Sequence, residues 1–466
     1  MKKFMAMVLS VLFAAPVFAQ EAVEVTIYNQ NFALVKDQRY FDLDKGVNRI
    51  SFRDVAALIE PTSVHFTSLT APASAGILEQ NYEYDLVSAG KLLSKYIDKK
   101  IKVVTQRGDV YEGTLLSYDN DQLVIQTADG IAMVARPENV NQISFEKIPE
   151  GLITKPTLVW LVSSDKRMRH LTEVSYLTQG MNWNCEYVTV LDKDDKMADL
   201  DGWVSINNNC GTSYENAKIK LIAGEVKRAM GIGASRNDRM LMMEDVKCAR
   251  KSEFEEKSFF EYHMYTLQRP ATIKNNQNKQ ISLLNTSGAK VNKELIFDPS
   301  KGKNYWWYYS DKGETLKENA RVELEIANSK DNNMGMPLPQ GKVKVYKKDA
   351  DGSLQFIGED AIDHTPKDEK IRLYIGDSFD VVGERTRKNF KTEYRTAYET
   401  FEIVLRNHKE QDAQVKVVEK LWRYTNWEIT ESSVKFDKKD ASTMEYTAKV
   451  PKNGETRLTY TVKYSW

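Results

Sequence analysis

Apolar and polar residues alternate with a period of two along much of this 466-residue chain. That spacing places successive side chains on opposite faces of a β-strand. In VEVTIYNQ, Val23, Val25 and Ile27 share one face while Glu24 and Thr26 take the other. RYFDLDKGVNRISF reads as two short strands about Lys45-Gly46, a hairpin signal. ETFEIVLRNHKEQDAQVKVVEKLW repeats the design, with Phe401, Ile403 and Leu405, a polar turn, then Val415 and Val417. MEYTAKVPKNGETRLTYTVKYSW is a strand, a Pro-Lys-Asn-Gly turn and a last strand. The pattern predicts a mainly β, multi-domain protein.

Helix is scarce. The best candidate is DLVSAGKLLSKYI, where Leu86, Ala89, Leu93, Tyr96 and Ile97 form one stripe. Strands follow near Ile101–Val104, Val110–Leu116, Leu123–Gln126 and Ile131–Ala135. A short helical turn is expected over 137–140 before a fifth strand, Gln142–Phe145. Arg107-Gly108-Asp109, Asp119-Asn120-Asp121 and Asp129-Gly130 supply turns. Arg-Gly-Asp is also an adhesion tripeptide, but Gly and Asp are what a tight hairpin needs, and the turn reading is preferred. A helix and five strands over 86–147 resemble the Sm-like or SH3-like small barrel, with Gly113 permitting the bend of its second strand.

The Sm resemblance implies RNA binding, which other residues argue against. Arg136 is followed by Pro137 where that family carries Arg-Gly, and Gln122 stands where it carries a base-contacting Asn. From Lys91 to Lys147 there are eight Lys/Arg and eight Asp/Glu, with none of the basic surplus that phosphate neutralisation requires. The whole chain is equally balanced, 66 basic against 66 acidic residues. No nucleic-acid partner is expected.

Lys2 and Lys3 precede an apolar run from Phe4 to Phe18, and Val17 and Ala19 suit a secretory cleavage site. Residues 1–19 are thus expected to be a signal peptide, placing the protein in the periplasm or at the outer surface. No other apolar run is long enough for a transmembrane helix. Cys185, Cys210 and Cys248 fit one disulfide plus a spare thiol in an oxidising compartment. Cys185 and Cys210 flank a hairpin and are the candidate pair; the alternative is three small buried apolar residues. The expected organisation is an N-terminal β-region (20–85), the helix and barrel (86–147), and a β-region (148–226). A mobile loop or linker (227–256) and a continuing β-region (257–390) follow. Residues 391–466 would form an immunoglobulin-like sandwich.

Chemistry has little local signature. His65, His170, His263, His364 and His408 are scattered without metal spacing. GIGAS at 231–235 lacks the strand and third glycine of a phosphate loop. EDAIDHTPKDEK, with Asp360, Asp363, His364, Asp368 and Glu369, reads as a solvated turn. DKDDKMADLDG lacks calcium-loop spacing and reads as an acidic hairpin tip. No catalytic residue, metal or cofactor is expected. The aromatic run Tyr305, Trp306, Trp307, Tyr308 and Tyr309 is either core or a stacking platform for a ligand. At the C-terminus Leu458, Tyr460, Val462, Tyr464 and Trp466 alternate, as in the last strand of an outer-membrane barrel or of a sandwich.

Longer segments carry a family resemblance: VTIYNQNFALVKDQR, PEGLITKPTLVWLV, YLTQGMNWNCEYVTVLD, DGWVSINNNCGTSYENAKIKLIAGEV and LPQGKVKVYKKDADGSLQFIGEDAIDHTPKDEKIRLYIGDSFDVVGER. They resemble an uncharacterised domain-of-unknown-function family of secreted bacterial proteins that shares its C-terminal β-region with mucoidy inhibitor A proteins. The resemblance brings no activity or site residues. By analogy it implies an influence on surface polysaccharide. The expected function is non-enzymatic binding or scaffolding in the cell envelope, with an envelope protein or glycan as partner. The alternatives are a polysaccharide hydrolase whose carboxylates lie far apart in sequence and a membrane β-barrel.

Overall fold

The computed structural model describes residues 20–136, 138–149, 151–228, 253–302, 313, 315–421, 423 and 426–466. Among them are 29 β-strands against one α-helix and two short 3-10 turns. No helix of the described residues is long and apolar enough to cross a membrane. The mainly β, multi-sheet architecture expected from alternation is present. The chain divides into two compact units. One holds the residues through Asn182 with Asn207–Leu221 and Arg269–Asn278; the other holds Trp183–Ile206, Ile222–Gln268 and Lys279–Trp466.

In the first unit, strands Gln20–Tyr28, Phe32–Leu43, Met168–Gln179 and His65–Ser68 pair in that order. A second sheet orders Gly46–Arg53, Thr157–Ser164 and Ala75–Glu83. Aromatic rings join the two layers. Trp160 is fully buried, 5.2 Å from Phe52 and 5.6 Å from Phe66, and its Nε1 donates to Gln80 at 2.9 Å. The Lys45-Gly46 hairpin is not formed. The strand before it pairs with Gln20–Tyr28 and Met168–Gln179, the strand after it with Thr157–Ser164. The Asn48 side chain accepts from the Asp44 amide and donates to its carbonyl, both at 2.8 Å, turning the chain from one layer to the other. Gly46, at φ 105, takes a backbone shape that costs other residues strain.

The stretch after residue 86 is a separate five-stranded sheet. Its order is Val140–Phe145, Lys100–Thr105, Val110–Tyr118, Gln122–Thr127, Gly130–Ala135. Helix Ala89–Lys95 precedes it, its N-terminus capped by the Ser88 hydroxyl accepting from the Lys91 amide at 3.3 Å. Leu93, Tyr96, Ile101, Val103, Leu115, Leu123, Ile125 and Val134 form its apolar core, and Thr105 is buried as well. Arg107-Gly108-Asp109 makes the hairpin turn, with the Asp109 amide donating to Thr105 Oγ1 at 3.0 Å. A β-carbon on Gly113 would stand 2.2 Å from the Gln126 carbonyl oxygen, so strand closure requires glycine there. Glu138 and Asn139 form a bend, and no helical turn follows Arg136 among the described residues.

In the second unit the path of paired strands includes Gln277–Phe297, Leu316–Ala327, Lys370–Glu393, Thr396–Asn407, Gly454–Ser465 and Asn426–Ser432. Ala413–Lys420 joins its other side, parallel to Gln277–Phe297 and antiparallel to Thr443–Val450. The ribbon folds over itself into two layers with a shared core, seen in the Tyr446 and Tyr460 rings 5.8 Å apart. Leu458, Tyr460, Val462 and Tyr464 all face that core. Neither hairpin expected here forms. Thr396–Asn407 does not pair with Ala413–Lys420, nor Thr443–Val450 with Gly454–Ser465. Asn407 braces the first crossover: it accepts from the Lys409 amide and donates to the Gln411, Val450 and Pro451 carbonyls at 2.8–3.3 Å. In the first unit Asn208 uses the same spacing, accepting from Cys210 N and donating to the Thr212 carbonyl.

The disulfide expected between Cys185 and Cys210 is absent: both are free and buried. Cys185 packs as a small apolar residue, burial pushing its thiol up to about 12. The Cys210 thiol lies 3.6 Å from the Thr212 carbonyl and 3.7 Å from the Tyr214 hydroxyl. Cys248 lies outside the described residues, as does most of the expected linker at 227–256.

Candidate ligand-binding site

Three strands of the second unit carry charge on their apolar face. On Lys370–Glu393, Arg385 and Arg387 continue the inward parity of Val381 and Gly383. On Thr396–Asn407, Glu399 shares parity with Phe401, Ile403 and Leu405. On Ala413–Lys420, Glu419 follows Val415 and Val417. The parity is a sequence signal, but its ionic partners lie on other strands.

The structure brings these charges together. Arg385 Nε donates to both oxygens of Glu419 at 3.1 and 2.9 Å, and the Tyr460 hydroxyl donates to Glu419 at 2.7 Å. The guanidinium carbon of Arg385 lies 3.8 Å from the centre of the Phe401 ring. Glu399 is fully buried and pairs with Arg387 at 3.1 Å and Arg423 at 2.9 Å. Loss of solvation raises Glu419 above the ordinary carboxylate value, opposed by Arg385 and Tyr460. Phe297 closes the layer against Gly383, where a β-carbon would meet the ring at 2.3 Å.

Beside this ladder the sheet opens. Leu316–Ala327 pairs with Lys370–Glu393, but the register jumps from Asn319 opposite Val382 to Arg321 opposite Asp377. The extra residues of the longer strand, 378–381 against residue 320 alone, leave the pairing, as in a special β-bulge larger than the two-against-one kind. A hollow of about 250 Å³ forms there, lined by Asp298, Lys301, Glu318, Asn319, Arg321 and Asp377. Its walls are held in place. Asp298 accepts from the Ser300 amide at 3.0 Å and hydroxyl at 2.6 Å, and Asp377 accepts from the Tyr374 hydroxyl at 2.9 Å. Lys301 Nζ lies 3.9 Å from the Tyr374 ring centre and the Arg321 guanidinium carbon 4.8 Å from it. Arg321 also pairs with Glu323 at 2.7 Å. Phe379, within the bulge, is 91 % exposed.

Residues 172–466 match the family described as Domain of unknown function (DUF4139). The chain belongs to that family. No curated protein matches it. Both the ladder and the hollow fall within the DUF4139 region, which assigns neither a role.

Of the residues singled out from sequence, Tyr305, Trp306, Trp307, Tyr308 and Tyr309 lie outside the described residues. The carboxylates of EDAIDHTPKDEK span the connection between Leu354–Ile362 and Lys370–Glu393, where Asp360 accepts from the Tyr374 amide at 2.7 Å. Those of DKDDKMADLDG surround a hairpin tip, with Asp195 paired to Lys293 at 2.7 Å and Lys347 at 2.5 Å. No group of three His, Cys, Asp or Glu among the described residues is arranged to hold a metal ion. Sequence reasoning missed the hollow because a bulge depends on which strands pair.

Proposed function

We propose that this protein is a non-enzymatic binding or scaffolding protein of the cell envelope, exported to the periplasm or outer surface. The observation that carries the reading is a hollow walled by charges of both signs, with Asp298, Lys301, Arg321 and Asp377 each held against a neighbouring side chain or amide. Pre-oriented donors and acceptors lower the ordering cost of binding a polar partner. The resemblance to mucoidy inhibitor A proteins adds surface polysaccharide as the setting. Residues 86–147 are read as an Sm-like or SH3-like barrel, on the strand order with a preceding helix. Residues 391–466 are read as an immunoglobulin-like sandwich, on their two facing layers. Both are framework for the binding surface.

The test is a sedimentation assay of the purified full chain with envelope material, paired with an assay for newly released reducing ends. Retention that weakens in Lys301→Ala and Asp377→Ala, without turnover, supports binding. Turnover abolished by a single acidic substitution would replace this reading with a hydrolase.

A further inference from the structure

We propose that the hairpin turn Tyr394-Arg395, with Trp466 beside it, docks the protein onto a phospholipid bilayer that carries anionic headgroups. This goes beyond the binding reading and does not depend on the hollow. Lys370–Glu393 and Thr396–Asn407 pair as a hairpin with Glu393 opposite Thr396, leaving Tyr394 and Arg395 as a two-residue turn. Such a turn takes a positive φ at its first central residue, where glycine is the usual occupant. Tyr394 holds that position at φ 31 and is 94 % exposed. A bulky ring on left-handed backbone is strained, and strain kept on an exposed tip points to a use for the ring outside the fold. The last six residues of the strand, 388–393, are all exposed and carry the turn past the packed core.

Trp466 lies against the turn: its amide donates to the Arg395 carbonyl at 3.2 Å, and the residue is 49 % exposed. The Thr396 hydroxyl donates to the Glu393 carbonyl at 3.0 Å. Backbone carbonyls satisfied within the turn are what entry into a low-dielectric interface requires. Tyrosine and tryptophan, apolar rings with a polar edge, favour the headgroup level of a bilayer. Charge selects the surface. Arg395 makes no ion pair among the described residues, and its guanidinium carbon lies 5.5 Å from the Tyr394 ring centre. The carboxylates from Lys388 to Glu402 are each met by a cation. Glu393 pairs with Lys391, Glu402 with Lys388 at 2.6 Å, and the buried Glu399 with Arg387 at 3.1 Å and Arg423 at 2.9 Å. Glu428 stands across from Lys463 on the neighbouring strands. The charge left without a partner at the tip is positive, and a basic group beside an interfacial ring is drawn to anionic headgroups. The turn at Phe260 gives the contrast: it too has a positive φ, 57, but its hairpin carries Glu255, Glu256 and Glu261 against Lys257.

The test sediments the chain from Gln20 onward, which holds every described residue and omits the apolar run Phe4 to Phe18. Its probes are vesicles of phosphatidylcholine alone and of equimolar phosphatidylcholine and phosphatidylglycerol. Binding should favour the anionic vesicles and weaken as salt rises. Arg395→Gln should cost about fivefold on those vesicles. Tyr394→Gly should weaken binding to them without lowering the melting temperature, since glycine takes the positive φ freely. Phe260→Gly should leave binding unchanged. Retention no greater on anionic vesicles than on phosphatidylcholine overturns the proposal. So does binding indifferent to both tip substitutions, or reduced as much by Phe260→Gly. If neither vesicle retains the chain, lipid is not the occupant of this tip and the proposal falls, while retention by envelope material would still support the binding reading.

Discussion

The five-stranded sheet over residues 100–145 and the two-layered C-terminal sheet of the second unit both pack around apolar side chains, but only the second buries charge. The first buries Thr105 beside its aliphatic and aromatic residues, and no ionised group. The second places Arg385, Glu399 and Glu419 beside Phe401 and Tyr460. Scale accounts for the difference. A domain of about 60 residues buries only about 60 % of its unfolded surface and has little stability to spare. Taking an ion out of water costs several kcal/mol even in real proteins, enough to unfold so small a core. The two-layered sheet has a larger core and a 24-residue strand. It can meet that cost with Arg385 Nε shared between both Glu419 oxygens and the Tyr460 hydroxyl as a further donor to Glu419.

The contrast breaks most visibly if one partner of the ladder is removed. Glu419→Ala leaves Arg385 buried without its carboxylate and should cost about 3–5 kcal/mol in denaturant unfolding. Replacing both, Arg385→Met with Glu419→Leu, should recover that loss and reach or exceed native stability. A double variant as unstable as the single one would show that the ladder stabilises the fold beyond charge pairing.

Next in size is a cavity in the core of the five-stranded sheet. Leu115→Ala should cost about 3 kcal/mol. Hydrogen-exchange protection should fall over residues 100–135 while the strand carrying Glu419 stays protected. Equal loss in both regions would mean that the five-stranded sheet does not unfold as its own unit.

The smallest effect is a pH dependence. Glu419 is raised by burial, so its contribution to stability is complete below the unfolded carboxylate value. That contribution is lost as pH rises through the folded one. The stability deficit of Glu419→Gln relative to the native chain should therefore shrink as pH rises from about 4. A carboxylate of the five-stranded sheet runs the other way. The amides of Asp121 and Gln122 hold Asp119 below its usual value, so its contribution is present above the unfolded value and lost as pH falls. A Glu419→Gln deficit that grows with pH would sink the assignment of burial as the dominant influence.

Much of the architecture was legible from alternation alone. The five strands over residues 100–145 were the clearest case, because most are joined to sequence neighbours by tight turns and helix Ala89–Lys95 enters directly. Turn chemistry failed where strands cross between layers. Lys45-Gly46 and Pro451 to Gly454 look like hairpin turns, yet each joins strands that pair elsewhere. A turn records only that the chain reverses, not which sheet the next strand enters. Asn407 shows what decided one such case: a buried side chain bridging to carbonyls 43 and 44 residues away.

The sequence by itself determined many strand faces and the scarcity of helix, because period-two burial and short turns are local properties. Arg385, Glu399 and Glu419 have inward parity too, a signal the sequence reading passed over. Only the tertiary structure decided which of them meet, that Cys185 and Cys210 are both free thiols, and where the sheet opens into a polar hollow. Those outcomes depend on the register between strands distant along the chain, and a jump from Asn319 opposite Val382 to Arg321 opposite Asp377 leaves no mark in either strand's own pattern.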